Sequence, residues 1–251
     1  MNHYLVDLHI HTCLSPCGSL EMSPSVIVDT AIMNGLSAIA ITDHNSTLQC
    51  PEIQALGEEK GLIVFAGTEV ATREEAHCVV LFPSEEIRRK FQSYLDTYLS
   101  HIPNDPERFG DQVWVNNDNE ILGEVPWLLI SAINQSINQV VEMSHKLGCL
   151  IIPAHVERPS YSVISQLGFI DPFLPIDAIE FNNEILYEKL LQKHSYLNKY
   201  VQYTASDAHH PNQIGTKPAI LEAPELSFES LVKACNKEAG YKLFPISNRH
   251  E

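Results

Sequence analysis

Asp7-Leu8-His9-Ile10-His11-Thr12 follows directly on an apolar run that begins at Tyr4, and near the far end of the chain stands Ser206-Asp207-Ala208-His209-His210. Each segment places potential metal ligands at i and i+2 on what reads as the end of a β-strand, where alternate side chains share one side of a sheet. Two such pairs at opposite ends of one chain point to a single metal centre.

Between them, apolar runs of strand length recur at Tyr4 to Leu8, Ala38 to Ile41, Leu62 to Ala66, Cys78 to Phe82, Leu150 to Pro153, Ala178 to Phe181 and Val201 to Thr204. Helical patterns separate most of them: Pro24 to Met33, Glu52 to Lys60, Glu85 to Leu99, Ile137 to Leu147, Ile185 to Leu197 and Phe228 to Lys237. Gly35, Gly61 and Gly148 stand where three of those helices should end. The alternation predicts an α/β fold of parallel strands with crossover helices. One connection is too short for a crossover, so the strands flanking Glu69 and His77 are expected to pair antiparallel, bringing those two side chains together. Ile102 to Trp127, with Pro103, Pro106, Pro126 and a polar stretch from Asn116 to Asn119, reads as an insertion, either a lid over the site or a solvated excursion.

Composition narrows the possibilities. At 251 residues the chain suits one large domain, since α/β barrels run to about 250. A net charge of −16 repels polyanions at long range. It argues against a nucleic-acid polymer as partner and leaves a small phosphate ester open, because bound divalent cations can reverse the potential inside a cleft. No apolar stretch spans a bilayer and the start lacks a signal-peptide layout, so a cytoplasmic protein without membrane contact is expected. The six cysteines form no CxxC pair and read as thiols rather than a disulfide framework.

Candidate ligands occupy strand ends: His9 and His11; Asp43 and His44; Glu69; His77; His155 in Pro153-Ala154-His155; Glu180; Asp207 and His209. In a parallel barrel such ends converge on one mouth, and histidine with carboxylate suits zinc, iron or manganese. A lone histidine is more often structural, which leaves His3, His101, His145, His194 and His250 without a role. The repetition of the others at strand ends is hard to assign to core packing.

The ordered segments His9-Ile10-His11-Thr12, Thr42-Asp43-His44, Gly67-Thr68-Glu69, His77, Pro153-Ala154-His155 and Ser206-Asp207-Ala208-His209 resemble those of the PHP (polymerase and histidinol phosphatase) family. The resemblance implies a distorted (β/α)7 TIM-like barrel, a single domain, with two or three divalent transition metal ions at the C-terminal strand ends. By position, His9, His11, Glu69 and Asp207 would bind the first ion, and Glu69 would bridge to a second held by His77 and His155. His44 and His209 would hold a third, with Cys17 in Ser15-Pro16-Cys17-Gly18 either completing it or remaining a loop thiol. Asp43 would orient a ligand or cap a turn.

The expected chemistry is hydrolysis of a small phosphorylated metabolite or nucleotide by a metal-bridging hydroxide, with Glu69, Asp207 and Asp43 as the catalytic carboxylates. Arg158 and, less favoured, Arg73 would grip phosphate or pair with nearby glutamates. His210 would protonate a leaving group or face solvent. Alternatives are a histidinol-phosphate phosphatase, a proofreading exonuclease, disfavoured by the acidity, and a metal-stabilised binding module without turnover.

Overall fold

The computed structural model describes residues 1–246; His250 lies outside them. Strands β1 (Asn2–Ile10), β2 (Ala38–Ile41), β3 (Ile63–Ala71), β4 (His77–Leu81), β7 (Leu150–Pro153), β8 (Ala178–Phe181) and β9 (Val201–Thr204) are the seven staves of a distorted barrel, and each matches one of the apolar runs in the sequence. β1, β2 and β3 are parallel, and β4 runs antiparallel between β3 and β7, as the short connection requires. Asp177 N donates to Ile151 O at 3.0 Å and Val156 N to Glu180 O at 2.9 Å, joining β7 to β8, and β8 pairs in parallel with β9. The ring closes where the chain beyond β9 meets the top of β1 through an Ile10–Ala208 bridge.

Two further strands of the main sheet went unread in the sequence, as did the hairpin within 102–127. β10 (Ala219–Ala223) pairs antiparallel with the lower half of β1, and β11 (Lys242–Pro245) pairs with β10. Their alternating half-buried side chains carry a weaker signal than the continuous apolar runs of the staves.

The helices form where local chemistry allows. α1 (Pro24–Met33) begins with proline at its first position, where a missing N–H costs nothing. α2 (Cys50–Lys60) stops at Gly61, whose φ of 78° is left-handed. α3 (Glu85–Tyr98) is capped by Ser84, whose hydroxyl accepts from Ile87 N, and α5 (Ile137–Lys146) by a reciprocal Ser136–Gln139 box. Shorter helices α4 (Pro106–Phe109) and α6 (Val163–Leu167) and the longer α7 (Glu184–Lys193) and α8 (Phe228–Cys235) complete the set. One apolar cluster, including Ile27, Ile53, Phe91 and Val140, packs helices on the outer strand faces. A second, including Val6, Leu8, Val79, Ile152 and Tyr203, fills the barrel and meets α8 through Leu231.

A register shift in β1 governs where the histidines point. Val6 and Asp7 pair with Ala38 and Ile39, but Ile10 pairs with Ile41, so β1 holds one extra residue between Asp7 and Ile10. A bulge of this kind exchanges the faces of the residues beyond it. Val6 and Leu8 face inward below it, and His9 and His11 take the inward face above it.

The segment 102–127 folds back on itself. A Pro103–Trp127 bridge closes its base, and strands β5 (Val113–Val115) and β6 (Ile121–Glu124) form a hairpin within it. Gly110, at φ 100°, lies against Pro16 in the loop that follows β1, and a Cβ there would collide with the Pro16 carbonyl. Gly110→Ala is therefore expected to cost about 1–2 kcal/mol or more and to lower Tm by about 2–8 °C. An unchanged Tm would contradict this close approach.

Candidate metal centre

The barrel mouth is built around Glu69. Ala71 lies opposite His77 in the antiparallel pair, which puts Glu69 and His77 on one face as diagonal neighbours. Glu69 Oε1 is 3.0 Å from His77 Nδ1, 3.1 Å from His155 Nε2 and 3.5 Å from His9 Nε2. Its Oε2 is 3.0 Å from His44 Nδ1 and 3.4 Å from His11 Nε2. Asp207 supplies a second buried carboxylate, with Oδ1 3.1 Å from His11 Nε2 and 3.4 Å from His9 Nε2. Asp207 and His155 both adopt left-handed backbones, at φ 53° and 31°, a strain that concentrates at functional sites.

Partners outside the cluster fix which ring nitrogens look inward. His9 Nδ1 donates to Glu180, 3.0 Å away, and His11 Nδ1 to Ser15 Oγ, also 3.0 Å away, since Ser15 itself donates to Asp43 at 2.7 Å. In the neutral rings both Nε2 lone pairs then face one another at 3.1 Å. His209 Nδ1 donates to Asp207 O at 2.9 Å, leaving its Nε2 free. His155 Nδ1 is buried without a partner, and His44 Nδ1, though close to Glu69, has no bond of proper geometry. With these rings neutral, lone pairs and carboxylates converge in a buried space with too few protons between them. That donor set fits divalent cations, and the ligand types suit zinc, manganese or iron.

Three overlapping groups could hold such ions: His9, His11, Glu69 and Asp207; His44, Glu69 and His77; and His11, His44 and His209, each with donor atoms within 4.8 Å of one another. His155 reaches the cluster through Glu69. Cys17 belongs to none of the three groups. It is exposed as a residue, yet its thiol is desolvated enough, with Glu69 and Asp207 nearby, to be pushed up to about 12.

Asp43 neither contacts the His44 ring nor caps α2, whose N-cap is Gln49. It accepts from Thr12 N at 2.7 Å, Thr12 Oγ1 at 2.8 Å and Ser15 Oγ at 2.7 Å, and so holds the loop that orients His11. Arg158 Nη2 reaches Asp207 Oδ2 at 2.7 Å. Arg73 is exposed, 3.9 Å from Glu74, and His210 is exposed. Of the histidines without a role, His3 pairs with Glu222 and His145 with Asp177.

Sequence reasoning missed Ser15 and Asp7. Ser15 also accepts from His44 N at 3.2 Å, and Asp7 accepts from Ser206 N at 3.0 Å and Gly215 N at 2.8 Å, fastening β1 to the Asp207 segment. A buried aspartate two residues before a histidine pair was the available signal. A cleft of about 860 Å³ runs between the 102–127 hairpin and the loop after β1, lined by Cys13, Leu20, Val113, Val115, Ile121 and Pro211, and shares none of its lining residues with the cluster.

Charge balance follows from the geometry. Burial opposes charge on His9 and His11, but Glu180, Glu69 and Asp207 outweigh it, holding His9 well above its ordinary range and His11 at about 9. Burial lowers His44 to about 3 and His209 to about 4, keeping both neutral. Burial raises both carboxylates, yet the surrounding rings hold Glu69 and Asp207 below their usual range. A group raised from 6.5 to about 9, like His11, contributes stability that is complete below 6.5 and lost as pH rises through 9. Protons thus take the place of cations at low pH. A divalent ion at about a hundredfold over its Kd is expected to raise Tm by about 5–10 °C near pH 8.5, and by less near pH 6, in a thermal melt with Mn²⁺ or Zn²⁺. Absence of any metal-dependent shift would contradict this assignment.

The comparisons with known proteins agree with the architecture. An uncharacterised protein of Methanocaldococcus jannaschii, MJ1587, is 37% identical over 89 residues, covering 32% of this chain and 52% of that protein. The lesion-specific endonuclease PfuEndoQ of Pyrococcus furiosus superposes with a TM-score of 0.72 at 20% identity, over 96% of this chain and 58% of its own. A Bifidobacterium adolescentis structure assigned as a metal-dependent phosphoesterase gives 0.59 at 20% identity, over 81% and 87%. The chain thus spans about half of the curated relative and of the endonuclease. Endonuclease Q is also known in complex with a 27-mer duplex carrying an abasic lesion at its active site. This overturns the expectation of a small-molecule phosphate ester as partner in preference to a nucleic-acid polymer: net charge describes the whole surface, whereas a substrate meets the field of one cleft. The sequence pattern of the PHP domain matches residues 7–166, more than half of the chain. This chain belongs to the PHP domain family.

Proposed function

We propose that the chain is a metal-dependent phosphoesterase whose substrate is a phosphodiester of a nucleic acid. The observation that carries this reading is the convergence of imidazole nitrogens and two buried carboxylates at one barrel mouth. Two or three ions of zinc, manganese or iron, when bound, would supply an activated water and the charge to receive phosphoryl oxygens. His9, His11 and Asp207 would hold one ion, His77 and His155 another, with Glu69 between them, and His44 with His209 a third, joined by Cys17 on deprotonation.

The chain's own residues would do the rest. Ser15 and Glu180 keep the inward nitrogens of His11 and His9 free by taking the outer N–H of each ring. Arg158 bonds Asp207 through Nη2 alone, 2.7 Å away, and with 39% of its side chain exposed it can turn a second N–H toward a phosphate oxygen. Its guanidinium is steered by Asn182, whose amide in its bonded orientation accepts from Arg158 Nη2 at 2.7 Å and donates to Glu157 at 2.9 Å. The 102–127 segment, part of the same domain in this reading, borders the cleft lined by Cys13, Val113 and Pro211. The likeness to an endonuclease in fold and the family membership support a nucleic-acid substrate. No helix of the described residues is long and apolar enough to cross a membrane. The free cysteines suit a reducing compartment such as the cytoplasm.

The test is hydrolysis of bis-p-nitrophenyl phosphate and of labelled oligonucleotides by metal-loaded protein. Glu69→Gln is expected to cut the rate by about 100-fold or more while the fold persists; a rate equal to wild type would refute the central place given to Glu69. Because the surface is acidic, few phosphates should be neutralised outside the mouth, and the affinity for DNA should fall with a slope of only about −1 to −3 in log salt. A steep slope, measured by fluorescence anisotropy, would reveal a basic track that this reading lacks.

A further inference from the structure

The loop after β7 contains two residues with left-handed backbones, His155 and Tyr161, the latter at φ 58°. For His155 the conformation aims the ring at Glu69, with Nε2 3.1 Å from Oε1. Tyr161 has no comparable partner. A bulky residue rarely enters this region, and glycine would make the same turn without steric cost.

What the conformation achieves is presentation of a ring. The Tyr161 ring stacks on His77 with centroids 5.1 Å apart and planes 21° from parallel. Its carbonyl accepts from His77 N at 2.8 Å, so ring and backbone are both fixed to the same strand. The residue is nevertheless 52% exposed, and its hydroxyl bonds to nothing among the described residues. The loop is tied by its own hydrogen bonds: Arg158 N donates to His155 O at 2.9 Å, and Ser162 Oγ donates to Arg158 O at 2.8 Å. Ser162 in turn caps α6.

We infer that Tyr161 is a stacking platform for a nucleobase beside the phosphodiester that enters the mouth, an inference that rests on the nucleic-acid reading above. An aromatic plane already held from behind by a buried imidazole loses little freedom when a base covers its open face. Such stacking tolerates any sequence, because every base has a π-face. Arg158, three residues earlier on the same loop, faces the charged backbone of the substrate. One short loop thus offers a cation for phosphate and a plane for base, and the net charge of the protein does not enter into either contact.

The experiment is steady-state cleavage of labelled oligonucleotides, single-stranded and duplex, by metal-loaded wild type, Tyr161→Phe and Tyr161→Gly, with metal content and Tm measured on each. Tyr161→Gly keeps the turn and is expected to raise KM roughly 5- to 150-fold, the loss of one base–aromatic stack. Its kcat, metal content and Tm should stay at or above wild-type levels. Tyr161→Phe, which keeps the plane, should stay within about twofold of wild type in KM. Equal KM values for all three proteins would overturn the platform and leave the nucleic-acid reading standing. Loss of metal from Tyr161→Gly would also overturn it, assigning the ring to support of His77 instead. A metal-loaded wild type that hydrolyses bis-p-nitrophenyl phosphate but no oligonucleotide would overturn the nucleic-acid reading and the platform together.

Discussion

Glu69, 1% exposed, is a carboxylate that water does not reach, and five imidazoles stand within 3.5 Å of it. A buried charge without compensation is costly enough that the surroundings must supply positive charge or the group must neutralise. Every element at the barrel mouth meets that demand. β1 delivers His9 and His11, β3 and β4 place Glu69 and His77 on one face, and the loop after β7 turns His155 inward through a left-handed backbone. Without cations, protons on His9 and His11 balance the carboxylates. Divalent ions would do so with the whole donor set and without leaving lone pairs opposed.

Much of this was legible in the sequence, and the reasons are specific. The seven staves announced themselves because strands buried on both faces are continuous apolar runs. The antiparallel β3–β4 pair followed from a connection too short to cross over, and the meeting of Glu69 with His77 followed from that pair. The bulge in β1 was not legible. Strict alternation from Val6 and Leu8 would turn His9 and His11 away from the barrel, and only the register against β2 reveals the extra residue that turns them in. β10 and β11 were missed because their exposed faces dilute the apolar signal. Ser15, Asp7 and Glu180 were hidden or undervalued for a different reason: each acts through a ring nitrogen or amide distant in sequence, and its partner is known only after folding.

The charge of the chain misled where the cluster did not. A surplus of acidic residues spread over a surface sets the long-range field, but it does not describe a cleft in which carboxylates are already committed to imidazoles. Arg158 illustrates the distinction. It is held at the mouth by Asp207 and Asn182, and Asn182 by Glu157, so acidic residues position a guanidinium there. The endonuclease that shares this fold is known in complex with a duplex carrying an abasic lesion at its active site. Under the proposed function, the acidity of the surface would bear on how such a substrate is held, by local contacts at the mouth and its loops rather than by a broad basic face.

The central claim is that the cluster around Glu69 is a polynuclear metal site. Elemental analysis of the purified protein by mass spectrometry, beside Glu69→Gln prepared in the same way, tests it most directly. The account predicts two or three transition-metal ions per chain in the wild type and a loss of at least one in the variant. A wild type that binds no stoichiometric metal after incubation with zinc, manganese or iron, or a variant with the same content, would contradict it.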